Sequence, residues 1–100
     1  MPSPEFLVLE EQVNARRPGA AEEMMRLADD GDADALFKVS ELSLRGMAGA
    51  VDLEAAFKFM SSAAAAGHPE AQRGEAYFTA AGIGTKGNEK KARQMLQRLA

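Results

Sequence analysis

Residues 31–67 read GDADALFKVSELSLRGMAGAVDLEAAFKFMSSAAAAG, and residues 67–100 read GHPEAQRGEAYFTAAGIGTKGNEKKARQMLQRLA. A shift of 36 residues places residues 31–64 on residues 67–100 without a gap. Self-similarity at a fixed period of this size indicates stacked supersecondary units. The sequence therefore contains two copies of one unit. The matched pairs are Gly31/Gly67, Ala35/Ala71, Gly46/Gly82, Asp52/Asn88, Ala56/Ala92 and Ala64/Ala100.

The first helix of each unit has recognisable start and stop signals. It is predicted to begin after Asp32 in one unit and at Pro69 in the other. Aspartate is a good N-cap, and proline suits the first helical position. The helix is predicted to end at Gly46 and at Gly82, because glycine readily adopts the left-handed conformation that closes many helices.

The second helix of each unit is predicted to begin behind Asp52 or Asn88, whose side chains can accept the free amide protons of a first turn. Apolar residues then recur with the i, i+3, i+4, i+7 spacing of one buried helical stripe. The predicted stripes are Ala56, Phe59, Met60 and Ala63 in one unit and Ala92, Met95, Leu96 and Leu99 in the other.

A further helix pair is predicted before the first full unit. Ser3 and Pro4 suit the N-cap and first position of a divergent capping helix, and Pro18-Gly19 precedes a second helix. The whole chain is thus predicted to be all-α, a short solenoid of antiparallel helix pairs with about two and a half repeats. The predicted divisions are a capping pair at 1–30, unit one at 31–66, and unit two with a C-terminal capping helix at 67–100.

Composition and charge narrow the possible functions. With no cysteine, the chain can form neither a disulfide nor a thiolate metal site. The apolar run Phe6 to Leu9 is too short for a signal peptide or a membrane span, so a cytoplasmic protein without a membrane partner is expected. Residues 1–34 hold nine acids and three bases, whereas residues 86–100 hold five bases and one acid. The net charge of -3 disfavours nucleic acid as a partner.

One glycine-rich string resembles a nucleotide-binding motif. Residues 82–87, GIGTKG, fit G-x-G-x-x-G, in which glycines bring a pyrophosphate to a helix N-terminus. That fingerprint must follow a strand, but here a helix is predicted to precede it. The string is therefore interpreted as a turn between helices, and no cofactor is predicted.

Neither the histidine nor the acidic pairs indicate catalysis. His68 is the only histidine and stands where the other unit has Asp32, so it is predicted to cap a helix or to be exposed to solvent. Adjacent carboxylates such as Glu10 and Glu11 point in different directions around a helix and do not form an acid/base pair. No catalytic residue or metal ligand is predicted.

The two units resemble Sel-1-like repeats. The resemblance rests on residues 18–100 and departs from the family pattern in part, since Met95 stands where the family has tryptophan. It implies a right-handed superhelix that serves as an adaptor, often within bacterial signalling or enzyme chains. The residues that carry it are Ala35, Gly46, Asp52, Ala56, Phe59, Ala63, Ala64 and Gly67, then Ala71, Gly82, Ile83, Gly84, Asn88, Ala92 and Ala100.

The predicted function is a protein-binding scaffold without catalysis, in which the first helices line a concave face. An alternative is a non-catalytic N-terminal accessory module of a larger bacterial enzyme or signalling protein. The partner is expected to be a protein or peptide, and the chain a monomer or a weak dimer formed through an incompletely covered terminal helix. The side chains predicted to meet the partner are Lys38, Glu41, Arg45, Arg73 and Tyr77.

Overall fold

A computed structural model describes residues 2–46 and 50–99. These ranges hold six helices and no strand, which confirms the all-α prediction. Ala100, predicted to match Ala64, lies outside the described residues. The helices are α1 (Pro4–Asn14), α2 (Ala20–Asp29), α3 (Ala33–Arg45), α4 (Leu53–Ala65), α5 (Pro69–Ala81) and α6 (Glu89–Leu99).

The helices stack in chain order. Each one packs against the helix that follows it, and α1 also contacts α3. The connection between α4 and α5 is only three residues, 66–68, and such short connections make neighbouring helices antiparallel. The principal axes of the stack measure 41, 29 and 19 Å, so the molecule is elongated.

Side-chain caps start five of the six described helices where the sequence predicts them, and α2 begins behind Gly19 without one. Each acceptor binds an amide three residues further on, which satisfies one of the free donors of the first turn. The predicted caps are therefore confirmed. The pairs are Ser3 Oγ with the Phe6 amide (3.1 Å), Asp32 Oδ1 with Ala35 (2.8 Å), Asp52 Oδ1 with Ala55 (3.0 Å), His68 Nδ1 with Ala71 (3.1 Å) and Asn88 Oδ1 with Lys91 (2.9 Å).

Equivalent glycines close the first helices of the two units. Gly46 ends α3 with φ 72°, and Gly82 ends α5 with φ 75°. Both residues adopt the left-handed conformation that glycine tolerates without steric cost. The predicted helix ends are confirmed at both positions.

The core uses equivalent positions of successive second helices. Met24 of α2 and Met60 of α4 lie 36 residues apart in the sequence and are 0% and 4% exposed. Gly74 of α5 lies against Met60, because a methyl group added at Gly74 would come within 2.8 Å of the methionine sulfur. The absence of a side chain at Gly74 allows α5 to approach α4 closely, as dense interior packing requires.

The predicted buried stripe of the last helix is only partly correct. Ala92 is buried and Met95 is half-buried, but Leu96 and Leu99 are 48% and 40% exposed. Leu96 is the repeat equivalent of Met60, which α5 covers. No described residue covers α6 in the same way, so a pattern that gives a buried stripe in α4 leaves an exposed one in α6.

Candidate functional site

The outward side of α3 carries two of the predicted partner-binding side chains. Glu41 and Arg45 are one turn apart, with Glu41 Oε2 3.9 Å from an Arg45 guanidinium nitrogen. The Arg45 side chain is 64% exposed, so the pair lies in water and contributes little to stability. Both side chains are available to a ligand without unfolding any part of α3.

The structure places Lys38 inside the fold, contrary to the prediction that it faces a partner. The residue is only 8% exposed, and its Nζ donates to Asn14 Oδ1 at 2.7 Å and lies 3.9 Å from Glu10 Oε2. The carbon stem of a lysine can pack against apolar surface, but a desolvated ammonium needs polar partners. Lys38 therefore joins α3 to α1 and is not part of an exposed face.

The outward side of α5 carries the other two predicted side chains. Arg73 and Tyr77 are one helical turn apart and both are exposed. The Tyr77 side chain stands out because the residue is 64% exposed, and its ring contacts the buried Phe78 only at a tilted 6.3 Å centroid distance. An aromatic ring held in water in this way provides a large amphipathic contact surface.

His68 joins one helix pair to the next. Its Nδ1 accepts the Ala71 amide and so caps α5, while its Nε2 lies 3.2 Å from Asp34 Oδ1 of α3. Its ring stacks on Phe37, with centroids 4.5 Å apart and planes 13° from parallel. The predicted cap is confirmed and the alternative of solvent exposure is wrong, since only 12% of the side chain is accessible.

The GIGTKG string has a packing role. It follows helix α5 and not a strand, so the arrangement that a dinucleotide fingerprint requires is missing. Gly84 has φ 69°, and a methyl group added there would lie 1.9 Å from the Leu53 carbonyl oxygen and 2.8 Å from Phe57 Cβ. Only glycine fits this approach to the first turn of α4. The interpretation as a turn between helices is confirmed.

A groove with arginines on its walls opens beside Arg45. Its volume is about 450 Å³, and Arg16 and Arg17 of the turn between α1 and α2 contribute to it together with Arg45. Glu22 also lies on its wall and offsets part of the charge. The groove extends the exposed side of α3 towards the first helix pair.

The described part of the chain contains neither a cluster of metal-ligating side chains nor a helix suited to cross a membrane. Within residues 2–46 and 50–99, no three His, Asp or Glu side chains gather where they could hold a metal ion. None of the helices described combines the length and the apolar character that crossing a bilayer requires.

A solved structure with a similar arrangement of helices is that of a Sel1 repeat protein from Oxalobacter formigenes. The likeness covers 97% of this chain and 89% of the other, with a TM-score of 0.63 and 18% sequence identity. The chain has the Sel1-repeat fold. The resemblance seen in the sequence is thus confirmed for the fold. No family model and no curated protein matches the sequence.

Sequence reasoning missed the contacts that join one helix pair to the next. The His68 cap could be predicted because its partner amide is three residues away. Its contacts with Asp34 and Phe37 could not, because they cross between pairs. Two sequence features point weakly to these contacts. Asp34 and Phe37 lie on one face of α3, and His68 stands where the other unit has the aspartate cap Asp32.

Proposed function

We propose that this chain is a protein-binding scaffold that uses the exposed side of its first helices, which lines the concave side of the array. We call the four residues Glu41, Arg45, Arg73 and Tyr77 on this side the inner face. The observation that carries the proposal is the exposure of Tyr77, at 64%, beside an exposed arginine on a rigid helix. Tyrosine and arginine are enriched among the residues that dominate binding energy at protein interfaces.

Repeat geometry supports treating the inner face as one surface. Glu41 and Tyr77 are separated by 36 residues, so they are equivalent positions of successive units. In a stacked array, equivalent positions point in the same direction and form an extended surface. A peptide lying across α3 and α5 would therefore meet both positions.

The charges of the inner face favour a partner segment with carboxylates. Glu41 and Arg45 nearly neutralise each other, and Arg73 forms no ion pair with any described residue. The groove beside Arg45 adds two more arginines. A guanidinium binds a carboxylate through two parallel hydrogen bonds. A partner segment therefore fits this surface if its carboxylates bind the arginines and one of its apolar side chains packs on the Tyr77 ring. The inner face brings together no nucleophile and base, and we ascribe no catalysis to it.

Selection from a randomised phage-displayed peptide library tests the proposal. Enriched peptides should carry acidic residues, and the double variant R73A/Y77S should bind them at least about tenfold more weakly, since two interface anchors are removed. The control is R93A, which removes an exposed arginine from α6, outside the inner face, and should leave the affinity unchanged.

Circular dichroism should give the same helix content for the parent chain, R73A/Y77S and R93A, because the altered side chains are exposed. Selected peptides that bind R73A/Y77S as tightly as the parent would reject the inner face as the binding surface.

A further inference from the structure

The last helix of the array exposes apolar side chains at positions that the earlier second helices bury. At one position of the second helices, repeated every 36 residues, exposure rises from 0% for Met24 and 4% for Met60 to 48% for Leu96. Leu99, also on α6, is 40% exposed, whereas its equivalent Ala63 is fully buried. The side of α6 that carries Leu96, which we call its outer face, thus has the apolar character of a covered surface, but no described residue covers it. Leu99 also lines a groove between α6 and the helices α4 and α5.

The first helix has an exposed apolar strip of its own. Leu7 and Val8 of α1 are 51% and 57% exposed. Val8 also lines an open groove of about 480 Å³ between α1 and α2, where Pro4 and Leu9 add apolar walls and Glu5 adds a carboxylate. This strip lies at the opposite end of the stack from α6, because helices pack in chain order.

The two end helices carry opposite charges. Helix α1 contains Glu5, Glu10 and Glu11 and no lysine or arginine, which gives it a formal charge of -3. Glu10 lies beside Lys38, so the exposed carboxylates that a second copy could meet are Glu5 and Glu11. Helix α6 contains four bases, two lysines and two arginines, and the single acid Glu89, which gives it +3. Apolar strips flanked by opposite charges are complementary, and such complementarity determines which surfaces associate and in what orientation.

We propose that the outer face of α6 binds α1 of a second copy of this chain, head to tail. The second copy would then continue the stack, with its first helix placed against α6 as α5 is placed against α4. The contact joins two different surfaces, so each new copy leaves one of each free. Association should therefore continue beyond the dimer as concentration rises.

Sedimentation velocity of the 100-residue chain gives the first test. Between about 10 μM and about 1 mM, a range suited to a small and weak interface, the weight-average mass should rise without stopping at the dimer. Raising the salt from about 0.1 M to about 1 M shortens the screening length from about 10 Å to about 3 Å and should weaken association roughly tenfold. A monomer throughout this range would overturn the proposal, and so would a closed dimer.

Charge reversal at each end tests the orientation. The variant E5K/E11K alters only α1, and the variant K90E/K91E alters only α6. Each should be monomeric alone, because every possible head-to-tail contact pairs like charges. Mixing the two should restore association, since an unaltered α6 from one variant can meet an unaltered α1 from the other. Self-association of E5K/E11K alone would show a contact between like faces and overturn the head-to-tail arrangement.

A pair of leucine substitutions tests the apolar part of the contact. L96S should weaken association at least about tenfold, as loss of a central apolar contact does. L53S is the matched control, because Leu53 is 44% exposed but belongs to α4, which is not an end helix. It should leave association unchanged. Equal effects of the two substitutions would overturn the role of α6. The inner-face variant R73A/Y77S should self-associate normally, which separates this proposal from the proposed function.

Discussion

Replacing Gly84 with alanine should destabilise the protein more than replacing any other glycine of the loops described above. Two costs add at this position. A left-handed conformation costs an L-residue with a side chain roughly 1–2 kcal/mol. The new methyl group would also lie 1.9 Å from the Leu53 carbonyl oxygen, which is backbone and part of the first turn of α4. Relieving that overlap requires a backbone shift, which typically costs about 1–3 kcal/mol more.

Two other glycines separate these costs. Gly31 has φ 90° with nothing within 4 Å of an added methyl group, so G31A should cost only the conformational penalty, roughly 1–2 kcal/mol. Gly87 has no positive φ and its nearest neighbour would be 3.6 Å away, so G87A should change stability by about 0.5 kcal/mol or less. The expected order of destabilisation is G84A, then G31A, then G87A.

Urea unfolding followed by circular dichroism measures this order. The expected loss for G84A, about 2–5 kcal/mol in total, corresponds to a fall in Tm of at least about 8 °C in a domain of this size. If G84A were no less stable than G31A, the close approach of the loop to α4 would not exist in solution. The same result would contradict the packing role assigned to Gly84 in the GIGTKG string.

Three further predictions concern the other contacts. In urea unfolding, H68A should lower the free energy of unfolding by about 1 kcal/mol more than H68N does, because asparagine keeps a good cap. Equal losses would show that the cap does not contribute to stability. N14A should cost about 1–3 kcal/mol because it leaves the buried ammonium of Lys38 without its 2.7 Å acceptor, and no loss would contradict that burial. In thermal unfolding, M60A should lower the free energy of unfolding by about 2–5 kcal/mol and L96A by less than about 1 kcal/mol, because Met60 is buried and Leu96 is exposed. Similar losses would contradict the exposure of Leu96.

The features that the sequence predicted well depend on local interactions. Asp32 and Asp52 cap amides three residues away, and Gly46 closes a helix through its own backbone conformation. Such interactions are specified within a few residues, so residue type and spacing suffice to locate them. The repeat period then fixes the number and order of the helices.

The features that the sequence did not predict depend on contacts between distant residues. Lys38 has the character of a surface residue, and its burial is explained by its contacts with Asn14 and Glu10, which lie 24 and 28 residues earlier in the chain. Leu96 has the spacing of a core residue, and only the lack of a described neighbour exposes it. Periodicity identifies the apolar side of a helix, but it does not say whether another helix lies against that side.

The position of His68 between two helix pairs bears on the shape of the array. Its ring lies flat on Phe37 of one pair while its Nδ1 starts the next pair, so the thickness of one imidazole acts as a spacer at this joint. The tilt between neighbouring pairs determines the curvature of a solenoid and therefore the width of its hollow side. A change of residue at this joint should thus alter how far apart Arg45 and Arg73 stand, even though neither arginine touches the histidine.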